Sequence, residues 1–339
     1  MKNEIINNAG KKYIEVGSDF GISNSKEFER LPLNDIDKRI IEMIEHDDVI
    51  LEFDEDSFFG EDMIHICTDT CNELDFDISS YLEEIDNQIE KTYNIKRKAK
   101  WLDLEKQYLL GFYRPFHFFK EKYGIYIKIN GQRRYVRELR NGILANPRLY
   151  GNIDNTSCYL ISKTFTYFHE YYHHKIECLA TRFEITTRMP HYTNGFHCLY
   201  CNTFGTDDCL EETFAEVYAY YETLDYLKPY LNLIGINETQ LKLILKKEII
   251  EKSPAGYNKA AKIISDSRED ARSLENYFFE SLIRYSYKLN HGENITYVDE
   301  SYWDLFTHGT HPYIQTNNPV TYVIETDGRT ETNVRYFMP

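Results

Sequence analysis

Apolar positions recur at helical spacing over several stretches of the chain and at strand spacing over a few others, so the pattern predicts helices and strands in separate blocks. Ile36, Ile40, Ile41 and Ile44 follow Asn34-Asp35 and form the stripe of a short amphipathic helix. Leu82, Ile85 and Ile89 make a second stripe that starts near Ser79-Ser80 and fades at Tyr93-Asn94, before the Lys-rich link 95–100. Trp101 to Leu110 reads as helical until Tyr113-Arg114-Pro115 interrupts it, because proline lacks an N–H and crowds the preceding turn. Ile125, Tyr126, Ile127, Lys128 and Ile129 lead into Asn130-Gly131, which predicts a β-hairpin with Gln132–Val136.

Asn155-Thr156-Ser157 offers an N-cap for a helix running through His169 to about Ala180. After a loop containing Gly and Cys, Leu210 to Tyr226 predicts another helix, ended by Lys228-Pro229. Leu241, Ile244, Leu245 and Ile249, then Leu274, Tyr277, Phe278 and Leu282, predict two more. Thr321–Thr326 and Arg329–Tyr336 flank Asp327-Gly328 as a terminal hairpin. The blocks sum to an α+β fold in three parts: an acidic, partly helical region 1–100, a central unit 101–228, and a mainly helical region 229–339 ending in the hairpin.

Composition narrows the class. With 42% hydrophobic and 28% charged residues, 29 Tyr and 20 Phe, the chain has ample apolar and aromatic surface for a globular core. No apolar run approaches the roughly 20 residues of a membrane span, so no membrane partner is expected. The polar start Met1-Lys2-Asn3-Glu4 lacks a signal-peptide core, which makes the cytoplasm the default location. Seven Cys in such a chain suit reduced thiols or metal ligands better than a disulfide framework.

A net charge of −16 argues against nucleic acid as a partner. The middle is nonetheless basic, through Lys91, Lys96, Arg97, Lys98, Lys100, Arg133, Arg134, Arg137 and Arg140. Asp47, Asp48 and the stretch Glu52 to Asp56 are acidic. These runs either complement each other within the molecule or leave a basic patch for an acidic partner.

The chemistry concentrates in His169-Glu170-Tyr171-Tyr172-His173. Residues four apart share a helix face, so both imidazoles can reach one ion, with Glu170 beside them to take a proton from a metal-bound water. This is the H-E-x-x-H pattern of zinc peptidases. A catalytic zinc needs a third protein ligand. Glu212 is the candidate, because it shares a face with Ala215, Glu216 and Ala219, and the small Ala residues allow close approach of the two helices. Glu216, one turn on, can accept the second ring N–H of a ligating His. Glu211 is the competitor one frame away.

His169-Glu170-x-x-His173 followed by Glu212-x-x-Ala215-Glu216 resembles the gluzincin type of zincin metallopeptidase, whose third ligand is a Glu on a later helix. The Phe214-Ala215-Glu216 stretch is also similar to the catalytic domain of anthrax lethal factor-like endopeptidases. The resemblance covers roughly residues 125–225. It implies a zincin-like unit of a small sheet, an active-site helix and a Glu-bearing helix, with zinc as cofactor and a protein or peptide as substrate. It further implies His169, His173 and Glu212 as ligands, Glu170 as general base and Glu216 as support. Tyr172 departs from relatives that carry a small residue before the second His. Such peptidases place a donor at the oxyanion, and Tyr192, His197, Tyr200 and Tyr218 are all eligible.

A second zinc set, His197 with Cys198, Cys201 and Cys209, would make a knuckle between the two helices, with His191 as an alternative member and inert buried thiols as the other reading. Cys178 reads as core. His308 and His311 either cap a cleft or lie on a surface loop. Two further functions compete with the peptidase: a non-catalytic, zinc-stabilised module for an acidic partner, and an effector protease acting on a host protein.

Overall fold

A buried helix of 33 residues, Asn155–Thr187, organises the molecule. The computed structural model describes residues 31–45, 110–120, 123–264 and 268–292, the strands Asn3–Ile6, Lys12–Glu15, Thr321–Thr326 and Glu331–Tyr336, and positions 298, 302, 306, 311, 312 and 319. The expected helix from Ser79 to Asn94, the link 95–100 and the stretch 101–109 lie outside the described residues, as do His308 and the turn at Asp327-Gly328.

In chain order the elements are β1 (Asn3–Ile6), β2 (Lys12–Glu15), α1 (Asp35–Glu45), β3 (Gly111–Arg114), β4 (Gly124–Lys128), α2 (Ile129–Ala145), α3 (Asn155–Thr187), α4 (His197–Thr203), α5 (Leu210–Leu227), α6 (Glu238–Leu243), α7 (Arg268–His291), β5 (Thr321–Thr326) and β6 (Glu331–Tyr336), with short helical turns between some of them. The strands form one mixed sheet in the order β1-β2-β6-β5-β4-β3. The fold is α+β. Among the described residues no helix is long and apolar enough to cross a membrane.

Asp154 caps α3, its side chain accepting from the Ser157 N–H at 2.7 Å, and the helix runs on to Thr187. The cap is Asp154 rather than a residue of the expected Asn155-Thr156-Ser157, and the helix ends at Thr187 rather than near Ala180. From Ser157 to Thr181 nearly every residue of α3 is buried, because α1, α2 and α5 and strands β3 and β4 pack around it. A helix covered all round loses the one-sided apolar stripe that marks a surface helix. Several of its buried polar groups are paired with neighbouring elements. Lys163 Nζ meets Asp37 Oδ2 at 2.8 Å, and Tyr159 donates to Asp37 Oδ1, fixing α1 to α3. Ser162 donates to Gln132 Oε1 at 2.6 Å, and Gln132 donates to Thr166, fixing α2.

No hairpin forms at Asn130-Gly131. β4 ends at Lys128, and α2 begins at Ile129. Gln132, Val136, Leu139 and Ile143 are buried at a helical spacing and face the core, so this long stripe outweighs the turn preference of two residues. The partners of β4 are instead β3, antiparallel with Phe112 opposite Tyr126, and β5, parallel with Ile127 opposite Val323. β4 is buried along its whole length, as a strand with neighbours on both sides and helices over it should be. The expected terminal hairpin forms as β5 and β6, and it joins the same sheet.

The loop expected before α5 is largely helical, a π-helical turn Tyr192–Phe196 running into α4. Gly195 lets this turn touch α7, since a Cβ there would lie 2.5 Å from the Ser286 Cβ. The helices expected from Leu210, Leu241 and Leu274 are present as α5, α6 with its continuation Ile244–Ile249, and α7.

Candidate metal centre

The centre lies where α3 crosses the start of α5. The four-residue spacing stacks the His169 and His173 rings with centroids 5.2 Å apart. α5 begins at Leu210, so Glu212 stands in its first turn and Glu216 one turn later, both buried. Ala215 and Ala219 are fully buried, and their small side chains bring α5 close enough for a carboxylate to reach both imidazoles.

The three side chains converge on one point. His169 Nε2 is 2.9 Å from Glu212 Oε2, His173 Nε2 is 3.4 Å from the same oxygen, and the two Nε2 atoms are 3.4 Å apart. Tetrahedral ligands at zinc bond lengths of about 2.0–2.1 Å stand roughly 3.3 Å from one another. The donor set therefore fits a zinc-sized ion. Two imidazole nitrogens facing each other beside one carboxylate oxygen are the chemistry of a cation site.

The other ring nitrogens face carboxylates as well. His173 Nδ1 lies 2.7 Å from Glu211 Oε1, and His169 Nδ1 lies 3.5 Å from Glu216 Oε1. Glu211 thus takes the orienting role toward His173, while Glu216 stands toward His169. Burial alone would lower the His169 and His173 pKa values, but the facing glutamates raise both. Burial pushes Glu212 upward, yet the two histidines hold its carboxyl well below the usual range. Glu216 is pushed up to about 8 by burial, against an opposing effect of His169.

Glu170 is buried beside the histidines, and burial raises its pKa while their charge opposes the rise. Strand β3 runs close over it. A Cβ on Gly111 would lie 2.7 Å from the Tyr126 carbonyl oxygen, 2.8 Å from Thr166 Cγ2 and 3.5 Å from Glu170 Cγ, so glycine is what admits the strand to this distance. Bulky Tyr172 points away into a fully buried position against Tyr218 and Phe306.

Of the four candidate oxyanion donors, Tyr200 is the one at the centre, donating to Glu212 Oε1 at 2.6 Å with its ring 5.7 Å from His173. Tyr218 packs on Tyr171 and Tyr172. Tyr192 and His197 stack with each other and with the His117 and Tyr200 rings respectively. One participant escaped the sequence reading. Tyr257 stacks flat on His169, with centroids 5.5 Å apart and planes 8° from parallel, and its hydroxyl reaches Glu212. Nothing in a lone Tyr of a Ser-Pro-Ala-Gly-Tyr loop signals that role.

His197, Cys198, Cys201 and Cys209 do not gather into a ligand set. Cys198 is disulfide-bonded, where the sequence favours reduced thiols or metal ligands over disulfides, while Cys158, Cys178, Cys201 and Cys209 are free. Cys201 Sγ lies 3.5 Å from His197 Nε2, and Cys209 is fully buried at the start of α5, where burial raises its thiol pKa. Cys178 is buried as expected, whereas His311 is fully buried rather than on a surface loop. Among the described residues two groups can hold an ion: His169, His173 and Glu212, and separately His117, Glu177 and His311. No protein-family model matches the chain, and no curated protein or solved structure matches it significantly.

Proposed function

We propose that the chain is a zinc-dependent peptidase of the gluzincin type, with His169, His173 and Glu212 as ligands and Glu170 as general base. The observation that carries this reading is the meeting of three donor atoms at separations of 2.9, 3.4 and 3.4 Å, with a buried carboxylate next to them. A bound zinc would lower the pKa of a coordinated water and polarise the scissile carbonyl. Glu170, buried beside the two histidines, would serve as the base that accepts a proton from the attacking water and returns it to the leaving amine. Its burial excludes bulk water and favours a carboxylate that readily holds a proton in transit. The Tyr200 hydroxyl, which donates to Glu212 at 2.6 Å, is the candidate donor to the oxyanion. Among the described residues β3 ends the sheet, so an extended peptide can align along it beside Glu170.

The test is Glu170→Gln. Zinc content and thermal stability are expected to stay near wild type, while cleavage falls by roughly 10²–10⁴, the usual contribution of a general base. An unbiased peptide-library digest read by mass spectrometry supplies the substrate. Indistinguishable digests from wild type and Glu170→Gln would sink the peptidase and leave the zinc-stabilised binding module as the better account.

A further inference from the structure

One turn beyond His173, the same face of α3 carries Glu177, and further on Glu184. Opposite them stands His117, on the loop that follows β3. Its Nδ1 lies 2.5 Å from Glu177 Oε1 and its Nε2 lies 2.8 Å from Glu184 Oε2. His311 completes the group, so that one ligand atom each from His117, Glu177 and His311 lies within 4.8 Å of the others.

We propose that His117, Glu177 and His311 form a second site for a divalent transition-metal ion, with Glu184 as the positioning residue for His117. Two imidazole nitrogens and one carboxylate oxygen suit zinc and its neighbours rather than calcium or magnesium. The arrangement repeats the one around His173. There one ring nitrogen turns to the ligand set and the other to Glu211; here one turns to Glu177 and the other to Glu184. A ligating His keeps its tautomer and orientation by giving its second N–H to a carboxylate.

Burial points the same way. Glu177 and His311 are fully buried, and the side chains of His117 and Glu184 are 13% and 12% exposed. Two carboxylates facing one imidazole ring in a poorly solvated place offer negative charge to a cation. A divalent ion held by neutral His117 and His311 brings positive charge to both carboxylates. Glu177 is already held for the purpose, accepting from the Phe116 and His117 backbone N–H groups at 3.1 and 2.9 Å and from the Tyr113 hydroxyl. An ion here would tie the loop after β3 and His311 to the helix that bears Glu170. Its role is structural support of the centre, by contributing metal-binding energy to the fold.

The experiment uses the full chain, stripped with chelator, reloaded with Co²⁺ and counted by elemental analysis after gel filtration. Wild type is expected to hold two equivalents, and His169→Ala/His173→Ala and His117→Gln/His311→Gln one each. The ion kept by His169→Ala/His173→Ala is expected to lack the intense near-ultraviolet band of cobalt–thiolate ligation, and Glu184→Gln is expected to weaken it by about 10–100-fold. If His117→Gln/His311→Gln fails to fold by circular dichroism, the His169→Ala/His173→Ala protein decides alone: one thiolate-free equivalent supports the site, and none overturns it. A thiolate band overturns it too, as does a folded His117→Gln/His311→Gln protein that keeps two equivalents. One equivalent in wild type that only His117→Gln/His311→Gln removes supports the second site and sinks the peptidase centre, so the two readings fail separately.

Discussion

Three glutamates crowd the His169–His173 pair, and their atoms give them unequal tasks. Glu212 presents one oxygen to both Nε2 atoms, so in the proposed centre Glu212→Ala removes a ligand outright. Glu211 makes a 2.7 Å contact with His173 Nδ1 and orients that ring without facing the shared point. Glu216 stands 3.5 Å from His169 Nδ1, and among the described residues that nitrogen makes no hydrogen bond. The expected ranking of lost zinc affinity is therefore Glu212→Ala first, Glu211→Ala next at about 10–100-fold, and Glu216→Ala last. Competition against a chromophoric chelator measures it. A Glu211→Ala loss equal to or larger than that of Glu212→Ala would exchange their roles. Sequence spacing carried the choice of Glu212 over Glu211 through the shared face with Ala215 and Ala219. It could not show that Glu211 reaches a histidine as well, because that contact depends on the rotation and crossing of two helices.

At the scale of elements, His191 joins the end of α3 to α7. Its ring nitrogens lie 2.7 Å from Thr187 Oγ1 and 2.7 Å from Ser286 Oγ, and it is 1% exposed. Burial lowers its pKa from 6.5 to about 4. The unfolded chain therefore takes up a proton at higher pH than the folded one. The contribution is fully present above about pH 6.5 and is lost progressively as pH falls toward 4, a change on the order of 3 kcal/mol. Urea unfolding of wild type and His191→Gln across pH 4 to 7 checks this: the stability gap is expected to be widest at pH 7 and to narrow on acidification, and a constant gap would refute it. Elements of this kind were legible in part. Ile40, Ile41 and Ile44, or Leu274, Phe278 and Leu282, mark helices because each packs on one side only. Asn130-Gly131 misled, because its local turn preference competes with a stripe of buried residues that extends to Ile143. β3 was hidden for a related reason: four residues around Gly111 carry little pattern of their own and form a strand only because β4 supplies the partner.

For the whole molecule, the H-E-x-x-H helix and the Glu-bearing helix fall within 101–228, yet what holds them together comes from further along the chain. Tyr257 covers His169, and the Thr213 hydroxyl donates to the Gly256 carbonyl at 2.6 Å, which fixes the start of α5 just beside Glu212. Gly256 takes a positive φ of 87°, and a Cβ there would meet the Thr206 carbonyl oxygen at 2.7 Å, so this loop fits closely against the approach to α5. Phe214 stacks on Phe278 of α7 with centroids 5.2 Å apart, and both are buried together with Leu210 and Leu282. A fragment of residues 101–228 loses each of these contacts and also β5 beside β4. Baring Leu210 and Phe214 alone forfeits about 1.5–3 kcal/mol apiece, a large share of the 5–15 kcal/mol that typically separates folded from unfolded chains. The fragment is therefore expected to show no cooperative thermal transition and to bind zinc at least about tenfold more weakly than the full chain, since a site must be formed before it can hold an ion. Calorimetry and zinc titration of fragment and full chain side by side measure both quantities. Equal affinity in the two would mean that the crossing of α3 and α5 stands on its own, with Tyr257 and α7 only resting against it.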